Sequence, residues 1–170
     1  CFGGTDHNHF TRGMLQVYEI LENIFKPSQK VEITEILNLS GNNSSNWIPS
    51  KSNFSINFIK HSSRVAKEMA QCNLLICGNG RMVYEAASLE KQVLVIPQNS
   101  RECSHIFPKA LPISIMMDHW TEVDYKDIAN NVLKIYNSKI SFEQKVIIKK
   151  IAKEINDGSS LVWSLIEDIL

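Results

Sequence analysis

The sequence predicts an α/β protein built on an open parallel sheet with helices on both faces, and three observations carry that prediction. Short apolar runs such as Asn73–Cys77 and Val93–Ile96 show little alternation, as expected of strands buried on both sides. Segments with helical spacing separate these runs, which is the pattern of a parallel sheet joined by crossovers. Glycine turns follow two of the expected strands, at Gly3–Gly4 and at Gly78–Asn79–Gly80.

Taken in order, the elements begin with Cys1–Phe2, which reads as the end of a strand running into Gly3–Gly4. A strand without a beginning suggests a piece of a longer protein. Phe10, Met14, Val17, Leu21 and Ile24 recur at helical spacing, and Pro27 lies just beyond the helix end. Residues 31–39 are β-branched enough for a strand, 40–53 form a Ser/Asn-rich loop, and Phe54, Ile56 and Phe58 alternate as in a strand. Ser62 or Ser63 caps a helix to about Gln71, with Val65, Ala66, Met69 and Ala70 inward. After the strand at 73–77 come a helix from Arg81 to Leu89 and a strand at 93–96 stopped by Pro97. A short helix or turn over 100–107 and a strand over 113–117 follow. The last third is helical. Thr121 or Asp124 caps a segment with Tyr125, Ile128, Val132 and Ile135 on one face. Ser141 and Gln144 form a capping box for a helix carrying Phe142, Val146, Ile151 and Ile155, which Gly158 is expected to end. Ser159 or Ser160 then starts a final helix with Leu161, Leu165, Ile166 and Ile169. No internal repeat or interdomain linker interrupts the chain, so residues 1–170 read as one domain.

The 170 residues carry 18 Lys and Arg against 18 Asp and Glu, for a formal net charge of zero. That balance offers no electrostatic footprint for a nucleic-acid backbone. No apolar run reaches the roughly 20 residues needed to cross a bilayer. With 44% hydrophobic and 21% charged residues, the composition is that of an ordinary globular protein able to bury a core. The cysteines at 1, 72, 77 and 103 contain no C-x-x-C pair, which argues against a zinc ribbon or a thioredoxin-type site. Together with the absence of a visible signal peptide they suggest a reducing, cytoplasmic setting, in which the Asn-x-Ser triplets at Asn42, Asn43 and Asn53 stay unmodified.

In an open parallel sheet, ligands bind outside the carboxyl ends of the strands, so the turns there hold the candidate chemistry. Gly3–Gly4–Thr5–Asp6 is either a phosphate cradle, with glycines admitting the ligand to a helix N-terminus, or a plain strand-to-helix turn. Gly78–Asn79–Gly80–Arg81 begins as G-x-G, but Val83 leaves the dinucleotide fingerprint incomplete. Glu85, about a helical turn further on, can accept hydrogen bonds from a ribose diol or simply sit near a helix N-terminus. The turn after Pro97 reads Gln98, Asn99, Ser100, Arg101, Glu102, Cys103, Ser104, His105. It is either a solvated loop or a sugar-facing surface, with Gln98, Asn99 and Glu102 on hydroxyls and Arg101 or His105 on a phosphate. His7 and His9 form an H-x-H without a third ligand, so no metal is expected. His61 precedes a helix start, and His119 beside Trp120 reads as loop packing. No G-x-S-x-G, Cys–His pair or close carboxylate pair supplies a nucleophile or glycosidase machinery.

Together, Gly3–Gly4–Thr5–Asp6, the glycine turn leading to Tyr84–Glu85–Ala86, Pro97–Gln98–Asn99 with Arg101–Glu102, and the late Asp157–Gly158 resemble one family. It is the carboxyl-terminal half of the UDP-sugar hydrolase of the pseudaminic-acid pathway and the related spore-coat polysaccharide biosynthesis proteins. These are cousins of the two-Rossmann-domain (GT-B, family 28) glycosyltransferases. The resemblance implies a Rossmann-like domain that binds a UDP- or CMP-linked sugar and needs no cofactor. It implies that Gly3, Gly4 and Thr5 hold the diphosphate beside the Gly78–Asn79–Gly80–Arg81 turn and that Glu85 holds the ribose. His61 to Arg64 would flank the base, and Gln98, Asn99 and Glu102 would face the sugar. It further implies that a missing amino-terminal half holds the acceptor site and catalytic base, so that this domain is not catalytic alone. The chain departs from the family at Arg81, which can pair with a phosphate or block the pocket, and at Ser159–Ser160 and Trp163. The alternatives from other classes are a non-catalytic nucleotide-sugar-binding module, fused in some relatives to a cytidylyltransferase, and a protein-docking scaffold.

Overall fold

The computed structural model describes residues 10–37, 48–60, 65–117 and 124–167. Side chains are described over 13–35, 48–59, 65–117 and 124–158. The expectations placed on Cys1 to His9, on 38–47, on His61 to Arg64 and on His119 and Trp120 lie outside these residues.

The chain alternates helices and strands. Helix α1 (Phe10–Ile24) leads to β1 (Val31–Leu37) and β2 (Phe54–Lys60). Then come α2 (Val65–Gln71), β3 (Leu74–Cys77), α3 (Arg81–Ser88) and β4 (Gln92–Val95). Two short helices, α4 (Ser100–Cys103) and α5 (Phe107–Ala110), precede β5 (Ser114–Met116), α6 (Tyr125–Asn137) and α7 (Phe142–Glu167). Every described strand pair is parallel. β1 pairs with β2 from Val31↔Phe54 to Leu37↔Lys60, and β3–β4–β5 form a second ladder with β4 in the middle.

The sparse alternation of the strands has the expected cause. On β4 and just past its end, Leu94 and Ile96 enter one core with Met14, Val17, Leu21, Ile128 and Val132 of α1 and α6. Val93 and Val95 point the other way, into a core with Val83, Ala86 and Ala87 of α3, against which Ile151 and Ile155 of α7 pack. Both faces of the strand are therefore covered, and apolar residues are favoured at every position. The first core also takes in Phe54, Val31, Ile33 and Ile56, so β1 and β2 share it with β4.

Glycine 13 sits inside α1, where it costs about 1 kcal/mol relative to alanine. The reason lies across the helix pair: a Cβ at Gly13 would fall 1.9 Å from the Tyr125 hydroxyl at the start of α6. At the other end of α3, the chain leaves the helix through a Schellman arrangement. Glu90 N–H donates to Ala87 O at 3.0 Å and Lys91 N–H to Ala86 O at 3.0 Å. Glu90 adopts φ 57° there, a left-handed position usually given to glycine.

Several helix faces differ from the sequence expectation. In α1 the inward face runs Met14, Val17, Tyr18, Leu21, and its next member is Phe25, just past the helix, while Ile24 is exposed. In α2 only Met69 is buried, and Ala66 and Ala70 face outward because one side of this short helix meets the core. The Ser141–Gln144 capping box forms reciprocally, with Ser141 N–H on Gln144 Oε1 at 2.9 Å and Gln144 N–H on Ser141 Oγ at 3.2 Å. Yet Phe142 and Val146 are 77% and 52% exposed, and Ile148 and Ala152 are the buried residues of α7. Gly158 does not end this helix, and no new helix starts at Ser159 or Ser160. The helix continues to Glu167, with Gly158 outside the left-handed region that would stop it. A single glycine costs a long helix about 1 kcal/mol, which is too little to break it.

Candidate functional site

The turns that follow β3 and β4 lie side by side because the two strands are parallel neighbours. Their backbones are stitched together by two side chains. Asn79, only 2% exposed, uses its amide Nδ2 to donate to Glu102 O at 2.7 Å and to His105 O at 2.9 Å. Glu102 returns the connection, its Oε2 accepting the backbone N–H of both Asn79 and Gln98 at 2.9 Å. A carboxylate accepting two main-chain N–H groups is an economical way to hold a turn, since charge-assisted bonds are the stronger kind. Asn99 caps α4, its Oδ1 accepting Glu102 N–H at 2.9 Å. His105 completes the cluster through Nδ1, 2.9 Å from Asn79 O.

This arrangement explains Gly78. A Cβ there would lie 2.7 Å from Gln98 Nε2 and 3.1 Å from Glu102 Oε2, so a larger residue would have to push these two side chains aside. Gly80 is different. It caps α3 with an extended backbone and no side-chain cap, and nothing lies within 4 Å of where its Cβ would be. The mouth of α3 is thus open to whatever occupies the space beyond it.

That space is an open cavity of about 820 Å³. Asn79, Gly80, Arg81, Asn99, Arg101 and Glu102 contribute to its polar side, with Ser104 and His105. Tyr84, Ile106, Phe107 and Ala110 supply an apolar wall, where the Tyr84 and Phe107 rings stack at 4.0 Å and 10°. Of the expected site residues, the structure brings Asn79, Gly80, Arg81, Asn99 and Glu102 together around this cavity. Gly78, Glu85 and Gln98 are not among the residues that line it. Gly3, Gly4, Thr5 and His61 lie outside the described residues.

Arg81 does not seal the cavity. Its side chain is 90% exposed, and its Nε lies 3.2 Å from Glu85 Oε1, one helical turn along α3. Glu85, 43% exposed, is therefore held by a surface ion pair, an interaction of small strength that a ligand can displace. Cys77, at the end of β3, offers no nucleophile: burial pushes its thiol up to about 12, with the Glu102 and Glu85 carboxylates adding to the effect. Among the described residues, no three His, Cys, Asp or Glu side chains are placed to hold a metal ion.

Sequence reasoning marked both turns but missed what joins them. Asn79 reads in the sequence as a turn residue, and nothing local signals that its amide reaches carbonyls 23 and 26 residues away. The Tyr84–Phe107 stack was equally silent.

No family model matches the chain, and no curated protein does. Among solved structures it is similar to the glycotransferase of kitacinnamycin, with a TM-score of 0.54 and 13% identity. The match covers 85% of this chain and 44% of that one, so the chain spans less than half the length of that structure. At such identity the likeness is one of fold. With its parallel strands and helices on both faces, the chain has a Rossmann-like α/β fold similar to that of a glycosyltransferase.

Proposed function

We propose that this chain is the donor-binding domain of an enzyme that acts on nucleotide sugars, a transferase or a hydrolase serving surface-polysaccharide or sialic-acid-like sugar synthesis. The observation that carries the proposal is the convergence of two strand-end turns, after β3 and β4, on one open cavity at the mouth of α3. Similarity of fold to a glycosyltransferase supports the same reading.

The chemistry follows from the residues. The unencumbered N-terminus of α3 at Gly80 suits an anion, and backbone N–H groups with the helix dipole would steady a departing diphosphate. Asn99, Glu102 and Gln98 offer the hydrogen-bonding groups that sugar hydroxyls need. Glu85 would take the ribose diol by exchanging its Arg81 partner for ligand hydroxyls, freeing the guanidinium for a phosphate. Gly3, Gly4 and Thr5 would complete the diphosphate site, and His61 would flank the base. The catalytic base and acceptor site would belong to a second half of the enzyme, across a cleft.

Calorimetry with UDP, UDP-N-acetylglucosamine and CMP tests this. At least one binds, and Gly80→Phe abolishes that binding while leaving the melting temperature near wild type, because the new ring enters open space. Failure of all three to bind at millimolar concentration overturns the proposal. A second reading, a non-catalytic nucleotide-sugar module, is favoured by the Arg81–Glu85 pair that already engages the ribose candidate. Binding without hydrolysis or transfer by the full-length protein would select it.

A further inference from the structure

His105 is held in the cavity wall in a way that fixes the chemistry of its free edge. Its Nδ1 lies 2.9 Å from the carbonyl oxygen of Asn79. A carbonyl can only accept, so Nδ1 carries the hydrogen and donates it. The neutral ring is thereby committed to one tautomer, with a bare lone pair on Nε2. The ring is half-buried and lines the cavity, and its Nε2 has no protein partner among the described residues. The anchor is rigid as well: the main chain of Asn79 is bound through its N–H to Glu102, and its side chain reaches back to the carbonyl of His105 itself.

We propose that His105 is a ligand-contacting residue whose Nε2 accepts a hydrogen bond from a sugar hydroxyl. The inference rests on the nucleotide-sugar reading above and adds a named acceptor to it. Several neighbouring side chains are donors only, already bonded, or apolar. Arg81 and Arg101, from α3 and α4, only donate. Glu102 has one oxygen committed to the Asn79 and Gln98 N–H groups, and Glu85 is paired with Arg81. α5 contributes Phe107 and Ala110, which are apolar. A doubly protonated imidazole has no lone pair left with which to accept. Protonation turns Nε2 from acceptor to donor while leaving the Nδ1–H bond to Asn79 intact. A hydroxyl that donates to the neutral ring is then lost, so affinity must fall with pH. A phosphate on the same nitrogen would give the opposite slope.

The experiment measures affinity for UDP-N-acetylglucosamine and CMP-N-acetylneuraminate from pH 8 to 5.5, in wild type and in His105→Gln, which keeps a donor for Asn79 O. The diphosphate or phosphate diester of these ligands takes up no proton in that window. Affinity of the wild type is expected to fall about 3- to 10-fold toward low pH, the scale of one net hydrogen bond. The variant is expected to start weaker and to show no slope. A rising affinity at low pH, a flat profile, or a variant identical to wild type overturns the inference and leaves the donor-binding reading standing. Absence of wild-type binding to either ligand overturns both. If His105→Gln does not fold, ¹⁵N-histidine spectra of the wild type decide: ligand addition shifts the Nε2 resonance of His105, and an unmoved resonance overturns the inference.

Discussion

Replacing Asn79 tests how the two turns are joined. The side chain is nearly fully buried and donates to the carbonyls of Glu102 and His105 at 2.7 and 2.9 Å. Each neutral hydrogen bond contributes about 1 kcal/mol net, and a buried carbonyl left without a donor adds to the loss. Asn79→Ala is therefore expected to cost about 3 kcal/mol in all. For a chain of 170 residues that corresponds to a fall in Tm of roughly 6–12 °C. Asn79→Asp is the sharper variant. It keeps the shape and replaces both donor hydrogens with lone pairs aimed at two carbonyl oxygens, so it should cost at least as much as alanine at neutral pH. Urea and thermal unfolding of the two variants supply the measurement. If Asn79→Asp lies within about 0.5 kcal/mol of wild type, an ordinary surface-substitution effect, then shape alone holds the turns and the hydrogen-bond argument fails.

Two further outcomes are expected. Gly13→Ala places a methyl 1.9 Å from the Tyr125 hydroxyl and should destabilise by about 1–3 kcal/mol, the cost of overpacking, despite alanine's better helix propensity. Adding Tyr125→Ala should make the second substitution at Gly13 neutral or favourable in a double-mutant cycle, and independent, additive effects would refute the contact. The Cys77 thiol ionises near 9 when free and near 12 when folded, so its contribution is intact below pH 9 and is lost as pH rises from 9 toward 12. Tyr18, whose hydroxyl donates to Glu35 at 2.8 Å, is also raised by burial and by that carboxylate, and adds a loss above pH 10. The urea midpoint should therefore drop between pH 9 and 11, less steeply in Cys77→Ala, each such group weakening the fold by up to about 1.4 kcal/mol per pH unit. An identical alkaline slope in that variant would contradict the assignment.

The legible parts of this sequence were those fixed by local pattern. Met14, Val17 and Leu21 announced α1, and Asp124 announced α6 as a cap, its Oδ1 accepting Lys126 N–H at 2.8 Å. The capping box placed the start of α7, but the face that helix buries depends on where α3 stands, so the exposure of Phe142 and Val146 could not be read from spacing. Gly158 looked like a stop, because sequence shows that glycine permits a left-handed turn and not whether the chain takes one. Glu90 is the reverse case, a left-handed residue with no glycine to mark it. At the site, strand ends and glycines pointed to the two turns that meet at the cavity. The clamp made by Asn79 and Glu102 was illegible because it is set by partners on the neighbouring strand end.

The parallel ladders have a consequence for how the molecule assembles. The tightest pairing joins residues such as Leu74 and Gln92, on opposite sides of α3, and no described strand can zip onto its neighbour as a hairpin. Loops of this size must close before any ladder bond is rewarded, which makes acquisition of the native state slow and concerted. The clamp between Asn79 and Glu102 spans that same crossover and β4 beyond it, so it cannot precede the pairing of β3 with β4. Partially folded chains should therefore lack a shaped cavity altogether, and competence to bind should emerge in the same kinetic step as the sheet.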